Sequence, residues 1–106
     1  MGYTDKQLIL KQVSKKQSEI NRKLAKIKSE LMGGMCPICR TKKGTDLMHL
    51  LPRSTFPEYQ TEEWNLILGC RDCHIKFDAD KEFRKNSKMG EHIKEIDELA
   101  YNRHYD

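Results

Sequence analysis

A chain of 106 residues has room for one small domain, or for less if part of it is a long helix. With 37% hydrophobic and 34% charged residues its core is thin for this length, and such cores are usually held by a metal or by disulfides. The formal charge of +4 is modest, and no run nears the roughly 18 apolar residues of a membrane span, which argues against a membrane partner.

The first element runs from Thr4 to about Met32, a stretch without glycine or proline that the pair Gly33-Gly34 brings to a stop. Thr4 and Gln7 have the spacing of a capping box, which satisfies free N–H groups at a helix start. Leu10, Val13, Ile20, Leu24, Ile27 and Leu31 keep a 3-4 spacing if Gln17 takes the one polar seam position. A seam this narrow wants a partner helix. The partner is either a second copy of the chain, giving a homodimer, or the C-terminal segment, where Met89, Ile93, Ile96 and Ala100 repeat the spacing. Residues 1–32 also hold eight lysines and arginines against three acids, whereas 33–80 hold six against seven and 81–106 hold six of each. The basic excess therefore lies on the helix, where Lys15, Lys16, Arg22, Lys23 and Lys26 suit a polyanion such as DNA, or form an ordinary solvated face. Its opening residues, MGYTDKQLILKQ, lack the basic-then-apolar order of a secretory signal. The expected setting is the cytoplasm, where cysteine pairs read as metal ligands.

The middle segment, 33–86, carries the chemistry. Cys36-Pro-Ile-Cys39 and Cys70-Arg-Asp-Cys73, 30 residues apart, form a strong signal for a four-cysteine Zn2+ site, and four thiolates leave no open position for water, so that zinc is structural. Between the pairs, TDLMHLLPRS reads as a strand running into a turn at Pro52, and EEWNLILGC as a second strand. RDCHIKFDADKEFRK, with His74, Phe77 and Asp78 at helical spacings, then reads as the start of a helix. His49 falls on the first strand, Asn65 at the start of the second, and His74 on the helix. The final segment, 87–106, reads as one C-terminal helix.

That order resembles the HNH endonuclease family, in its zinc-stapled phage or mobile-element form. The matching text is HLLPRS around His49, NLILGC around Asn65 and CRDCH ending in His74, with the two cysteine pairs where the zinc-stapled members carry theirs. The resemblance covers about residues 35–80 and does not extend to the N-terminal helix. It implies an α+β fold: a small ββα-metal core stapled by zinc, preceded by the long helix and followed by a C-terminal one. It implies a metal-dependent DNA endonuclease, cytoplasmic and of bacterial or phage origin. His49 matches the general base, whose ordinary pKa of about 6.5 leaves it largely neutral at physiological pH. Asn65 matches the amide that holds the active-site loop, and His74 the ligand of a catalytic Mg2+ or Mn2+.

Where the family has Asp or His before the base, this chain has Met48, and a thioether is a poor ligand for a hard ion. The replacement expected from spacing is Asp78, one helical turn after His74. Asp46 is less favoured, because alternation puts it on Met48's face of the strand but roughly 6–7 Å further along. Arg53, Arg71 and Lys76 are candidates for gripping phosphate. Plainer roles exist for each residue: His49 among Met48, Leu50 and Leu51 as a core histidine, Asn65 as a turn residue, Asp78 as a solvated one, and Trp64 as core. Two further readings stand beside the endonuclease: a catalytically impaired HNH-fold DNA-binding zinc domain, and a zinc-ribbon interaction module built on a coiled coil.

Overall fold

The computed structural model describes residues 5–106, with side chains from Lys15 onward. The Thr4 end of the capping box, and the side chains of Gln7, Leu10 and Val13, lie outside the described residues. Among the described residues there are five α-helices and one two-stranded antiparallel sheet, an α+β arrangement. None of these helices is long and apolar enough to cross a membrane.

Helix α1 spans Asp5–Leu31 and ends at Gly33, whose φ of +95° is a left-handed conformation that glycine adopts without a Cβ penalty. It lies against the sheet. Ile20, Leu24 and Ile27 are half-buried, and the residues between them are exposed. Gln17 is an exposed residue whose amide donates to Asn21 Oδ1 at 2.9 Å, an ordinary i,i+4 surface pair.

Strand β1 (Asp46–His49) pairs with β2 (Leu66–Gly69), placing Asp46 opposite Gly69 and His49 opposite Leu66. The loop between them contains two single turns of 3-10 helix, Pro57–Tyr59 and Glu63–Asn65. Helix α2 (Arg71–Ala79) follows β2 after one residue and packs on β1.

The helix expected to start with RDCHIKFDADKEFRK, from Arg71, is broken at Asp80. Asp80 takes an extended conformation, accepts a hydrogen bond from Phe83 N at 3.1 Å and starts a new helix, α3 (Lys81–Ser87). A short carboxylate that satisfies a free N–H favours a helix start over a helix interior. Asp97 does the same further on, accepting from Ala100 N at 3.1 Å. The expected single C-terminal helix is therefore two, α4 (Ile93–Ile96) and α5 (Glu98–Tyr105).

This break decides where the C-terminal apolar residues go. Ile93, Ala100, Tyr101 and Tyr105 join Met48, Leu50, Leu51, Phe56 and Phe77 in one core, while Ile96 remains 46% exposed. Fully burying a side chain of this size is worth about 1.5–3 kcal/mol, so the C-terminal residues supply a large share of a small core. Tyr105 also donates its hydroxyl to Leu50 O at 2.8 Å, tying the end of the chain to the residue just past β1.

Candidate functional site

Each cysteine pair sits on a backbone turn built by its own neighbours. In the first, Cys36 N donates to Lys42 O at 2.7 Å and Arg40 N to Cys36 O at 2.9 Å, with Arg40 at φ +56°. In the second, Cys70 is the N-cap of α2, and its sulfur accepts from Cys73 N at 3.4 Å. Lys42 and Asp72 form an ion pair across the two turns.

The four sulfurs lie within 4.8 Å of one another. Cys39 Sγ and Cys70 Sγ are 3.8 Å apart, and a tetrahedral zinc with bonds of about 2.3 Å sets its sulfurs about 3.8 Å from each other. The cysteines are free thiols and three of them are buried. The Thr41 hydroxyl bonded to Cys39, with the N–H groups of Thr41 and Lys42, brings that thiol down to about 5. Burial, then the neighbouring cysteine sulfurs, push Cys73 up to about 12. The cluster can hold one metal ion such as zinc, whose charge would offset the cost of deprotonating all four thiols.

A cleft of about 550 Å³ has His49, Arg53, His74 and Asp78 among its walls. His74 follows Cys73 directly in the first turn of α2, so a metal at the cysteines fixes its backbone. Asp78 stands one turn on, its Oδ2 3.2 Å from His74 Nε2. Adjacent ligands of an octahedral magnesium, with bonds of about 2.0–2.1 Å, lie about 3 Å apart. The spacing of these two atoms is that of a hydrogen-bonded pair and equally that of neighbouring ligands on such an ion.

His49 ends β1, and its Nε2 is 2.9 Å from Gln60 O. A carbonyl only accepts, so Nε2 carries the proton and the neutral ring keeps its free lone pair on Nδ1. Burial lowers the His49 pKa; the Gln60 carbonyl opposes this and the Arg53 charge adds to it.

Asn65 is fully buried. Its Oδ1 accepts from Leu51 N at 2.7 Å, and its Nδ2 donates to Leu51 O and Tyr59 O, both at 3.1 Å. One neutral amide thus closes the loop between the strands, and the loop in turn places Gln60 against His49.

Two residues of β1 take places that alternation along the strand did not show. Met48 does not face the cleft: it is fully buried, and its Sδ lies where a Cβ on Gly69 would approach to 2.4 Å. A side chain at position 69 would have to displace that sulfur, and Met48 is a core residue in the same hydrophobic cluster as Phe77. Met48→Asp should therefore leave a buried charge unpaired and destabilise the fold by about 3–5 kcal/mol, without strengthening metal binding; denaturant unfolding and manganese titration of that variant read both effects. Asp46, set aside because of its distance along the strand, makes direct contact with His74: its Oδ2 lies 2.9 Å from His74 Nδ1. The first turn of α2, anchored by Cys70 and Cys73, crosses the Asp46 end of β1, because Asp46 pairs with the residue just before Cys70.

Of the candidate phosphate-gripping residues, Arg53 and Lys76 are exposed. Arg71 is 75% exposed but spends its Nε on Asp46 at 2.8 Å. Lys15, Lys16, Arg22, Lys23 and Lys26 are all exposed on α1.

Arg84 and His104 also reach the cleft, and neither has a local signal in the sequence. Arg84 is a buried cation that donates to Phe77 O at 2.7 Å, Asp78 O at 3.3 Å and His104 O at 3.1 Å. It ties the end of α2, and with it the backbone of Asp78, to α5. His104 is pushed down to about 4 by burial, then by the charges of Arg84 and Lys81, and stays neutral. No protein-family model matches the chain, and neither a curated protein nor a solved structure matches it.

Proposed function

We propose that this chain is a metal-dependent DNA endonuclease of HNH type, built on a ββα core stapled by a structural zinc at Cys36, Cys39, Cys70 and Cys73. The observation that carries the reading is the shared cleft: a neutral histidine with a free Nδ1 lines the same cleft as a histidine and a carboxylate spaced as neighbouring metal ligands. Phosphodiester hydrolysis needs those two elements, a base for water and a positive charge opposite it.

His49 accepts the proton of the attacking water at Nδ1, and its Nε2–H donates to Gln60 O throughout, so the ring does not turn as it charges. Asn65 holds the loop that supplies this carbonyl. A magnesium or manganese ion, held by His74 Nε2 and Asp78 Oδ2 with waters, would supply positive charge against the phosphorane oxygens and the departing 3′ oxygen. Arg53 offers its planar fork to a phosphate on the rim. The exposed basic residues of α1 extend the contact along the DNA backbone, or leave that helix's seam to a second chain.

The burial of Met48 favours a second reading. The place the HNH resemblance gives to an acidic or histidine ligand is occupied by a core residue, which suits a domain that binds DNA through the fold and has lost cleavage. Incubation with supercoiled plasmid separates the two. The endonuclease is expected to produce nicked circles with magnesium or manganese and none in EDTA, under conditions where zinc content stays at one per chain. A mobility shift of the DNA without nicking in any metal selects the binding domain, and neither a shift nor nicking sinks both.

A further inference from the structure

We infer that Asp46 is a positioning residue for the cleft metal: it holds His74 in the Nδ1–H tautomer and so presents Nε2, beside Asp78, as the ligand. The metal itself rests on the endonuclease reading, while the part played by Asp46 rests on the geometry around one imidazole. The His74 ring stands between two carboxylates, with Asp46 Oδ2 2.9 Å from Nδ1 and Asp78 Oδ2 3.2 Å from Nε2. A neutral imidazole has a single N–H and donates to only one of them.

Asp46 is the one built to receive it. Its side chain is 12% exposed, against 63% for Asp78. Its Oδ2 also takes Arg71 Nε at 2.8 Å, and its Oδ1 takes the Thr45 hydroxyl at 3.1 Å. The carboxylate is thereby fixed behind the ring, with both oxygens engaged, and is itself unsuited to be a ligand. With the proton on Nδ1, the lone pair of Nε2 faces an oxygen of Asp78. Two acceptors at that separation repel each other unless a second proton or a metal cation lies between them. A carboxylate that takes the second N–H of a histidine fixes the ring's tautomer and raises its basicity toward a metal. The acidic group missing at position 48 is in this way recovered at position 46, acting through His74 and not on the ion.

The test combines manganese titration calorimetry with 15N spectroscopy of the His74 ring in the zinc-loaded full-length chain. Before manganese is added, Nδ1 is expected to be the protonated nitrogen and Nε2 the bare one. Asp46→Ala should weaken manganese binding by about 10–100-fold at unchanged zinc content. Asp46→Asn keeps an acceptor oxygen for Nδ1–H and should fall between that variant and the native chain, which guards against a simple folding defect. On a His74→Ala background, Asp46→Ala should cost nothing more.

A ring protonated at Nε2, or at both nitrogens, overturns the inference. So does unchanged manganese affinity in Asp46→Ala when the native chain binds. A native chain that binds no manganese although Nδ1 is the protonated nitrogen overturns the endonuclease reading, and the ligand role of Nε2 with it.

Discussion

Cys70→Ser is expected to leave the protein without a cooperative unfolding transition and with less than one zinc per chain. Structural zinc sites contribute an apparent 10–16 kcal/mol or so at neutral pH, and whole domains are stable by only about 5–15 kcal/mol. A chain this short, with so many of its residues charged, has no reserve to cover the difference. Cys70 is the most exposed to this test because it belongs to three structures at once. It follows the last residue of β2, caps α2, and stands 3.8 Å from Cys39 across the cluster. Serine keeps an N-cap oxygen for α2 but is a far poorer zinc ligand than thiolate, so the variant separates loss of metal from loss of the cap. Elemental analysis and thermal circular dichroism read the result. Protein purified without zinc that nonetheless melts cooperatively, and whose melting a chelator does not shift, would remove the metal from the account of the fold.

The parts of the fold that were legible in the sequence are those specified by spacing. Two Cys-x-x-Cys pairs forecast the cluster because a tetrahedral site needs each pair on a tight turn, and turns of that size are written in a few adjacent residues. The strands were legible from apolar runs bounded by Pro52 and the cysteine turn, and α1 from a stretch free of glycine and proline whose 3-4 apolar spacing is broken at Gln17. The helix breaks were written too, in Asp80 and Asp97, but the spacing of Met89, Ile93, Ile96 and Ala100 carries across Asp97 and hides it, and Asp80 sits in a charged run with no pattern of its own. A capping carboxylate shows itself only when the N–H three residues on is asked where it bonds.

The cleft was legible in its residue types and less so in their connections. Alternation along β1 gives the face of a side chain and says nothing of what crosses above it. Asp46 was therefore judged by its distance from Met48, when the neighbour that matters is His74 on α2. Met48 illustrates the same limit from the other side. A family position set it where a metal ligand is usual, whereas its side chain is fully buried and its sulfur lies close over Gly69. Arg84 and His104 reach the cleft through the return of the C-terminal residues over the core, a long-range event with no local pattern to announce it. The Asn65 clamp stands between these cases. Its place at the start of a strand was visible, but its hydrogen bonds to Leu51 and Tyr59 depend on how the loop closes.

His49→Ala and His49→Asn should each lower plasmid nicking by about 10²–10⁴-fold, the range a positioned general base contributes; at about 1.36 kcal/mol per decade this is roughly 2.7–5.5 kcal/mol of barrier. Alanine also gives up the hydrogen bond to Gln60 O, worth about 1 kcal/mol of stability. Asparagine can keep a donor there while lacking a basic nitrogen, so equal losses in the two variants assign the effect to proton transfer. DNA affinity should stay nearly native in both, since neither removes a cation. The pH profile carries the sign of the mechanism. Only neutral His49 acts as a base, and burial holds its pKa below the ordinary 6.5. Native activity should therefore rise with pH through a midpoint below 6.5 and already be level at neutral pH, and that rising limb should vanish in both variants. A midpoint above 6.5 would mean that the histidine is stabilised in its charged form and serves as an acid or a phosphate contact. Nicking at the native rate in His49→Asn would take the residue out of the chemistry, leaving the cleft to bind DNA through Arg53 and the basic face of α1.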